Sequence, residues 1–180
     1  MSIMATSRLL TRDDLDALPD DGLRHELIDG AFIMTPSPGF RHQTLVGALY
    51  RKLHAASVGS ELTVLMAPFD VVLGDNVVEP DLIVAPRTAF GERDLAVPPL
   101  LAVEVRSPST GWLDEGRKRS LYEEHRVPSY WLVDPLRPSI LILELKNGRY
   151  FEAASAYGDQ SIEVSLPLRV TLNPATLASV

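Results

Sequence analysis

Two acids stand inside apolar runs of this chain. Pro80-Asp81 opens Leu82-Ile83-Val84, and Glu104 lies within Leu100-Leu101-Ala102-Val103-Glu104-Val105. Short runs rich in β-formers read as buried strands, and an unpaired carboxylate buried among them costs several kcal/mol even after relaxation. The fold must therefore bring something positive to both acids, and a divalent metal is the economical candidate.

The elements around them read as a mixed α/β domain. Thr11-Arg12-Asp13-Asp14-Leu15 has the form of an N-cap with an acidic first turn, opening a short helix that ends by Pro19-Asp20-Asp21-Gly22. Leu23 to Ile28, then Asp29-Gly30, then Ala31 to Met34 carries the Asp-Gly signature of a two-residue hairpin. Pro36 and Pro38 break the second strand, after which Leu45, Val46, Leu49, Leu53 and Ala56 predict a helix from about His42 to Ala56 with one core face. Strands are expected at Leu62–Leu65, Phe69–Leu73 and Asp81–Val84, with Gly74-Asp75-Asn76 as the turn between the last two. The strand from Leu100 to Arg106 leads through Ser107-Pro108-Ser109-Thr110-Gly111 into a helix from about Leu113 to His125. Tyr130–Val133, Ile140–Leu145 and a return strand from Tyr150 follow, turning at Lys146-Asn147-Gly148-Arg149, and Asn173-Pro174 predicts one short terminal helix.

Composition narrows the chemistry. The 180 residues fit one domain, 1–180, able to bury a core without staples. With no cysteine, neither a disulfide framework nor a thiolate metal site is open to it. The N-terminus lacks the apolar segment of a signal peptide and no run approaches the ~18 residues of a membrane span, so a cytoplasmic protein with no membrane partner is expected. A formal charge of −7 opposes general adhesion to polyanions, so a nucleic acid would have to meet a local cleft. No Walker loop, Gly-x-Ser-x-Gly or Gly-x-Gly-x-x-Gly occurs, and His25, His42, His54 and His125 lack ligand spacing.

Strand alternation puts Arg106 on the face of Glu104. Asp114, Lys118, Tyr122 and His125 form one stripe on the following helix, with Lys118 pointing partly inward. Each residue also has a plainer reading. Asp81 and Glu104 could be strand-end acids, solvated or paired with Arg106. Lys118 could make an i,i+4 pair with Asp114 worth only ~0.3 kcal/mol, and Glu26 could be an exposed strand residue.

Taken together, Pro80-Asp81, the Glu104-to-Thr110 run, Asp114 with Lys118 and Tyr122, and Val127 to Pro135 resemble the Uma-two family of restriction-endonuclease-like proteins. Upstream, Glu26-Leu27-Ile28-Asp29-Gly30, Pro36-Ser37-Pro38 and His42-Gln43 extend the likeness, which covers about 23–145. The resemblance implies the PD-(D/E)XK nuclease superfamily: a restriction-endonuclease-like α/β (α+β) fold, with a mixed central β-sheet flanked by helices, here with extra β-hairpins. It implies a divalent metal, Mg²⁺ or Mn²⁺, with Asp81 and Glu104 as ligands and the carbonyl of Val105 completing the set. Glu26 would sit at the edge of the site as a further acid, and His42 and Gln43 at a helix start could touch phosphate or orient Glu26. The superfamily lysine two residues after Glu104 is replaced by Arg106, which holds its charge but cannot act as a general base. Lys118 matches the place from which such proteins supply a lysine on the next helix.

The expected function is a metal-dependent endonuclease hydrolysing phosphodiester bonds in DNA. The alternatives are a catalytically inactive module of the same fold binding nucleic acid or protein, and a hydrolase of smaller phosphate esters. The apolar hairpin Ile140–Leu145 with Tyr150-Phe151 offers an edge for a homodimer.

Overall fold

A computed structural model of the chain describes residues 8–19, 21–107 and 114–179, the side chains of 114 and 115 excepted. Pro108, Ser109 and Thr110, the expected helix start at Leu113, and an Asp114–Lys118 side-chain pair lie outside the described residues.

Helix α1 (Arg12–Asp16) opens as its acidic first turn predicts, with the Asp14 carboxylate accepting the Thr11 N–H at 2.8 Å. Strands β1 (Arg24–Ile28) and β2 (Ala31–Thr35) form the expected hairpin. Asp29 and Gly30 at its turn have φ of 53° and 70°, which a type I′ turn requires. Helix α2 (Phe40–Ser57) extends the predicted helix slightly at both ends. Then come β3 (Leu62–Met66), β4 (Asp70–Leu73), β5 (Asn76–Val78), β6 (Leu82–Pro86), β7 (Asp94–Leu95) and β8 (Leu101–Val105). A π-helical turn, Asp114–Lys118, leads into α3 (Arg119–Glu124). Strands β9 (Ser129–Asp134), β10 (Ser139–Lys146), β11 (Arg149–Tyr157), β12 (Ile162–Val164) and β13 (Val170–Leu172) precede the terminal helix α4 (Pro174–Ala178).

The strands assemble into two large sheets. One has the order β11-β10-β9-β8-β6-β3, antiparallel throughout except for the parallel pair β8–β9. The other has the order β2-β1-β5-β4-β7, and β12 pairs with β13 alone. Leu45, Val46, Leu49 and Leu53 of α2 pack on one face of the six-stranded sheet, against Val64, Val84, Val103 and Trp131. Its other face meets the five-stranded sheet and α3: Ile83, Ala102, Tyr130 and Leu132 share a core with Ile28, Val71, Val78, Leu121 and Tyr122. Leu15 of α1 covers Leu27 and Val77 on the outer side of the five-stranded sheet. The layers therefore run helix, sheet, sheet, helix, with the β1–β2 and β4–β5 hairpins joined into the second sheet and the β10–β11 hairpin at the edge of the first.

One expectation needs correction. Asn76 does not end a turn leading directly to the strand at Asp81; it begins β5, which pairs with both β4 and β1. Val77-Val78 is too short an apolar run to stand out before Glu79-Pro80, and pairing on both sides supplies what local propensity lacks.

Candidate active site

Alternation decides which side chains enter the space between the sheets. Along β1, Leu27 packs toward α1 while Ile28 faces the inter-sheet core, so Glu26 and Arg24 share the inner face with Ile28. Along β8, Val103 and Val105 pack toward α2 and Ala102 faces the other way, so Glu104 does too. Asp81 lies one step before the Leu82↔Val103 pair, which brings it beside the end of β8.

There it is fully engaged. Arg24 Nη2 donates to Oδ1 at 2.8 Å, the Val105 N–H donates to Oδ2 at 2.8 Å, and His42 Nε2 lies 3.1 Å from the same Oδ2. Burial alone would raise the Asp81 carboxyl, but hydrogen bonds and charge from His42 and Arg24 outweigh it and hold the group below its ordinary value.

The second half of the cluster centres on Lys118, which is 2% exposed. Its Nζ lies 2.8 Å from Glu26 Oε1 and 2.9 Å from Glu104 Oε1, and Tyr122 OH donates to that same Glu104 oxygen at 2.8 Å. Lys118 and Tyr122 are one α-helical step of four apart, so the junction of the π turn with α3 presents both to one carboxylate. Burial, with the Glu104 charge next to it, raises the Tyr122 hydroxyl well above the usual phenol range, so it donates at any working pH. Arg117, the preceding residue, binds Asp29 in the β1–β2 turn, so the π turn is fastened to that hairpin twice.

Glu26 Oε1 also accepts the Glu79 N–H at 2.7 Å, while Glu26 Oε2 is buried and finds no hydrogen-bond partner among the described residues. Arg24 donates to the Glu79 carbonyl at 3.1 Å. A cleft of about 380 Å³ opens onto Arg24, His42, Glu79 and Asp81, walled by Pro36, Pro38, Gln43 and Met66. At and behind it four carboxylates, Glu26, Glu79, Asp81 and Glu104, face two basic side chains, Arg24 and Lys118, an excess of two negative charges when all are ionised.

Burial pushes the Glu79 carboxyl up to about 7, with Arg24 opposing it only in part. Its native proton affinity thus exceeds that of the unfolded chain, so the protonated form favours folding and the stabilisation is lost as pH rises from the ordinary carboxylate value through about 7. The loss is roughly 2 kcal/mol after allowance for solvent screening. In EDTA, wild-type stability by urea unfolding is expected to fall between pH 5 and 8, and Glu79→Gln is expected to flatten that fall. An equal slope in both proteins would refute it.

The structure gathers Asp81, Glu104, Lys118 and Glu26 in one cluster, with Val105 entering through its N–H. Glu26 is at its centre rather than its edge, and His42 touches Asp81 rather than Glu26. Arg106 turns to Asp134, at 3.6 Å, beyond the cluster. Arg24, Glu79 and the hydroxyl role of Tyr122 were not foreseen. The only signal for Arg24 was its spacing of two from Glu26, and for Glu79 its place two before Asp81.

The donor set suits a hard divalent cation: oxygens only, with excess negative charge and one orphaned buried carboxylate oxygen. Among the described residues no three acid or imidazole groups stand close enough together to hold such an ion as they are. Cations lie between them.

Comparison with known proteins gives this geometry a setting. The family model described as "Uma2: Putative restriction endonuclease" matches residues 12–177. A crystal structure described as a putative nuclease belonging to DUF820 from Anabaena variabilis ATCC 29413 superposes with a TM-score of 0.74 at 17% identity, covering 94% of this chain and 97% of that one. At that identity the likeness speaks for the fold. No curated protein matches the sequence.

Proposed function

We propose, from the premise that this chain belongs to the Uma2 family of restriction-endonuclease-like proteins, that it is a metal-dependent endonuclease hydrolysing phosphodiester bonds in DNA. The observation that carries the proposal is the excess of buried carboxylates beside an open cleft, with Glu26 Oε2 unpartnered among the described residues.

Asp81 and Glu104, with the Val105 carbonyl, would hold magnesium or manganese, and Glu26 would serve as a further acid. The bound ion would lower the pKa of a ligated water and neutralise charge on the phosphoryl oxygens. Lys118, buried within 2.9 Å of both Glu26 and Glu104, would hold the two acids in place and supply positive potential where charge builds in the transition state. Tyr122 fixes the Glu104 carboxylate from the other side. The cleft meets the need for a local approach on a chain of formal charge −7. The chain would work as one domain and, through the β10–β11 hairpin, as a homodimer addressing two strands.

A second reading has one observation in its favour: the acids as placed are held by cations rather than grouped around a metal position. In that reading the domain binds a nucleic acid or a protein without cutting. Incubation with supercoiled, linear and single-stranded DNA separates the two. Cleavage in Mg²⁺ that EDTA abolishes is expected. Binding without cleavage, in Mg²⁺ and in Mn²⁺, would establish the second reading instead.

A further inference from the structure

Two cations separate the acids of this site, and they differ in what could move them. Lys118 is sealed between Glu26 and Glu104 at 2% exposure, on a turn that Arg117 ties to Asp29. Arg24 is the first residue of β1, its side chain is 21% exposed, and it lines the cleft. Its guanidinium makes two hydrogen bonds, to Asp81 Oδ1 at 2.8 Å and to the Glu79 carbonyl at 3.1 Å, with Glu79 Oε2 further away at 4.0 Å. The other Asp81 oxygen already receives the Val105 N–H and faces His42. A metal approaching Asp81 from the cleft therefore meets Arg24 at the oxygen with the fewest partners.

We propose that Arg24 is a displaceable counter-ion of Asp81: it occupies the carboxylate in the metal-free protein, gives way to a divalent cation, and then turns its guanidinium from the cleft wall to a phosphate of the substrate. This rests on the metal-dependent reading above. The physical case has three parts. Arg24 and a divalent ion compete for the same oxygen, so binding of one is coupled unfavourably to binding of the other. A guanidinium is weakly hydrated and matches phosphate bidentately, so release into the cleft leaves it suited to the incoming group. Only Arg24 has somewhere to go, because its side chain borders about 380 Å³ of open cleft. The arrangement keeps a buried acid neutralised while the site is unloaded and frees a cation only when another has arrived.

The test is calorimetric titration of Mn²⁺ into the full chain, as wild type, Arg24→Met and Arg24→Lys, alongside thermal unfolding in EDTA and in Mn²⁺. Removing the competitor is expected to tighten Mn²⁺ binding about tenfold in Arg24→Met. The same variant should melt below wild type in EDTA and recover more of its melting temperature with Mn²⁺ than wild type gains. Arg24→Lys, which keeps the charge but can reach only one of the two acceptors, should fall between and covers the case that Arg24→Met does not fold. Wild-type binding of Mn²⁺ with no tightening in either variant would overturn the Arg24 assignment while leaving the metal-dependent reading intact. No Mn²⁺ binding by any of the three proteins, with or without a DNA oligonucleotide, would remove that reading and this inference together.

Discussion

Asp81→Asn is expected to lower DNA cleavage by about 10³-fold or more while the protein stays folded, an effect on the scale of removing one electrostatic stabiliser from an active site. The substitution keeps the shape and leaves an amide oxygen to accept the Val105 N–H, but it removes the charge that Arg24 and His42 face. A divalent ion would lose its central anionic ligand, so Mn²⁺ binding should fall with activity. Asp81→Ala should lose activity to the same extent but also leave the buried Val105 N–H without an acceptor, a defect that costs about 1–3 kcal/mol. Comparing the two separates chemistry from folding. Asp81→Asn retaining activity within tenfold of wild type would take Asp81 out of the catalytic role.

Lys118→Met should produce the largest loss of stability of any single change in the cluster, about 3–5 kcal/mol in the absence of metal. Methionine fills the space, so little of the loss is cavity. The cost is electrostatic: Glu26 Oε1 and Glu104 Oε1 both lie within 2.9 Å of Nζ and would face each other with no cation between them. Like charges at such a site raise each other's proton affinity in the folded state above that of the unfolded chain. The sign follows. A proton shared by the pair relieves that repulsion, so the deficit against wild type should be smaller at pH 5 than at pH 8. Urea unfolding of both proteins at the two pH values measures it, and a deficit independent of pH would assign the loss to packing instead.

Much of this was legible in the sequence wherever the deciding interaction was local. Asp29-Gly30 and Asn147-Gly148 supply the positive φ that their hairpins need, and the apolar spacing of α2 fixes its buried face. The acids in the runs at Asp81 and Glu104 did require positive partners, and both have them. The identity of those partners was less accessible. Arg24 reaches Asp81 across fifty-seven positions because β5, the strand just before Asp81, pairs with β1, and β5 is a three-residue strand held by pairing on both sides. Alternation put Arg106 on the face of Glu104, but Asp134, on the neighbouring strand of the parallel pair, draws it away from the cluster. Lys118 was expected to lean inward and is sealed in completely; the π turn that delivers it has no signature in residue type.

The cluster draws on residues from Arg24 to Tyr122 and needs both sheets in place, including the parallel β8–β9 pair that no tight turn can nucleate. Its charges therefore lack these partners until the chain has closed loops as long as that from Glu26 to Lys118. During synthesis the acids stay dispersed and hydrated, and the network forms only with the finished tertiary structure. A site built in this way couples competence to completion: a truncated or half-folded chain carries scattered acids but none of their arrangement, and so holds no partial version of the activity.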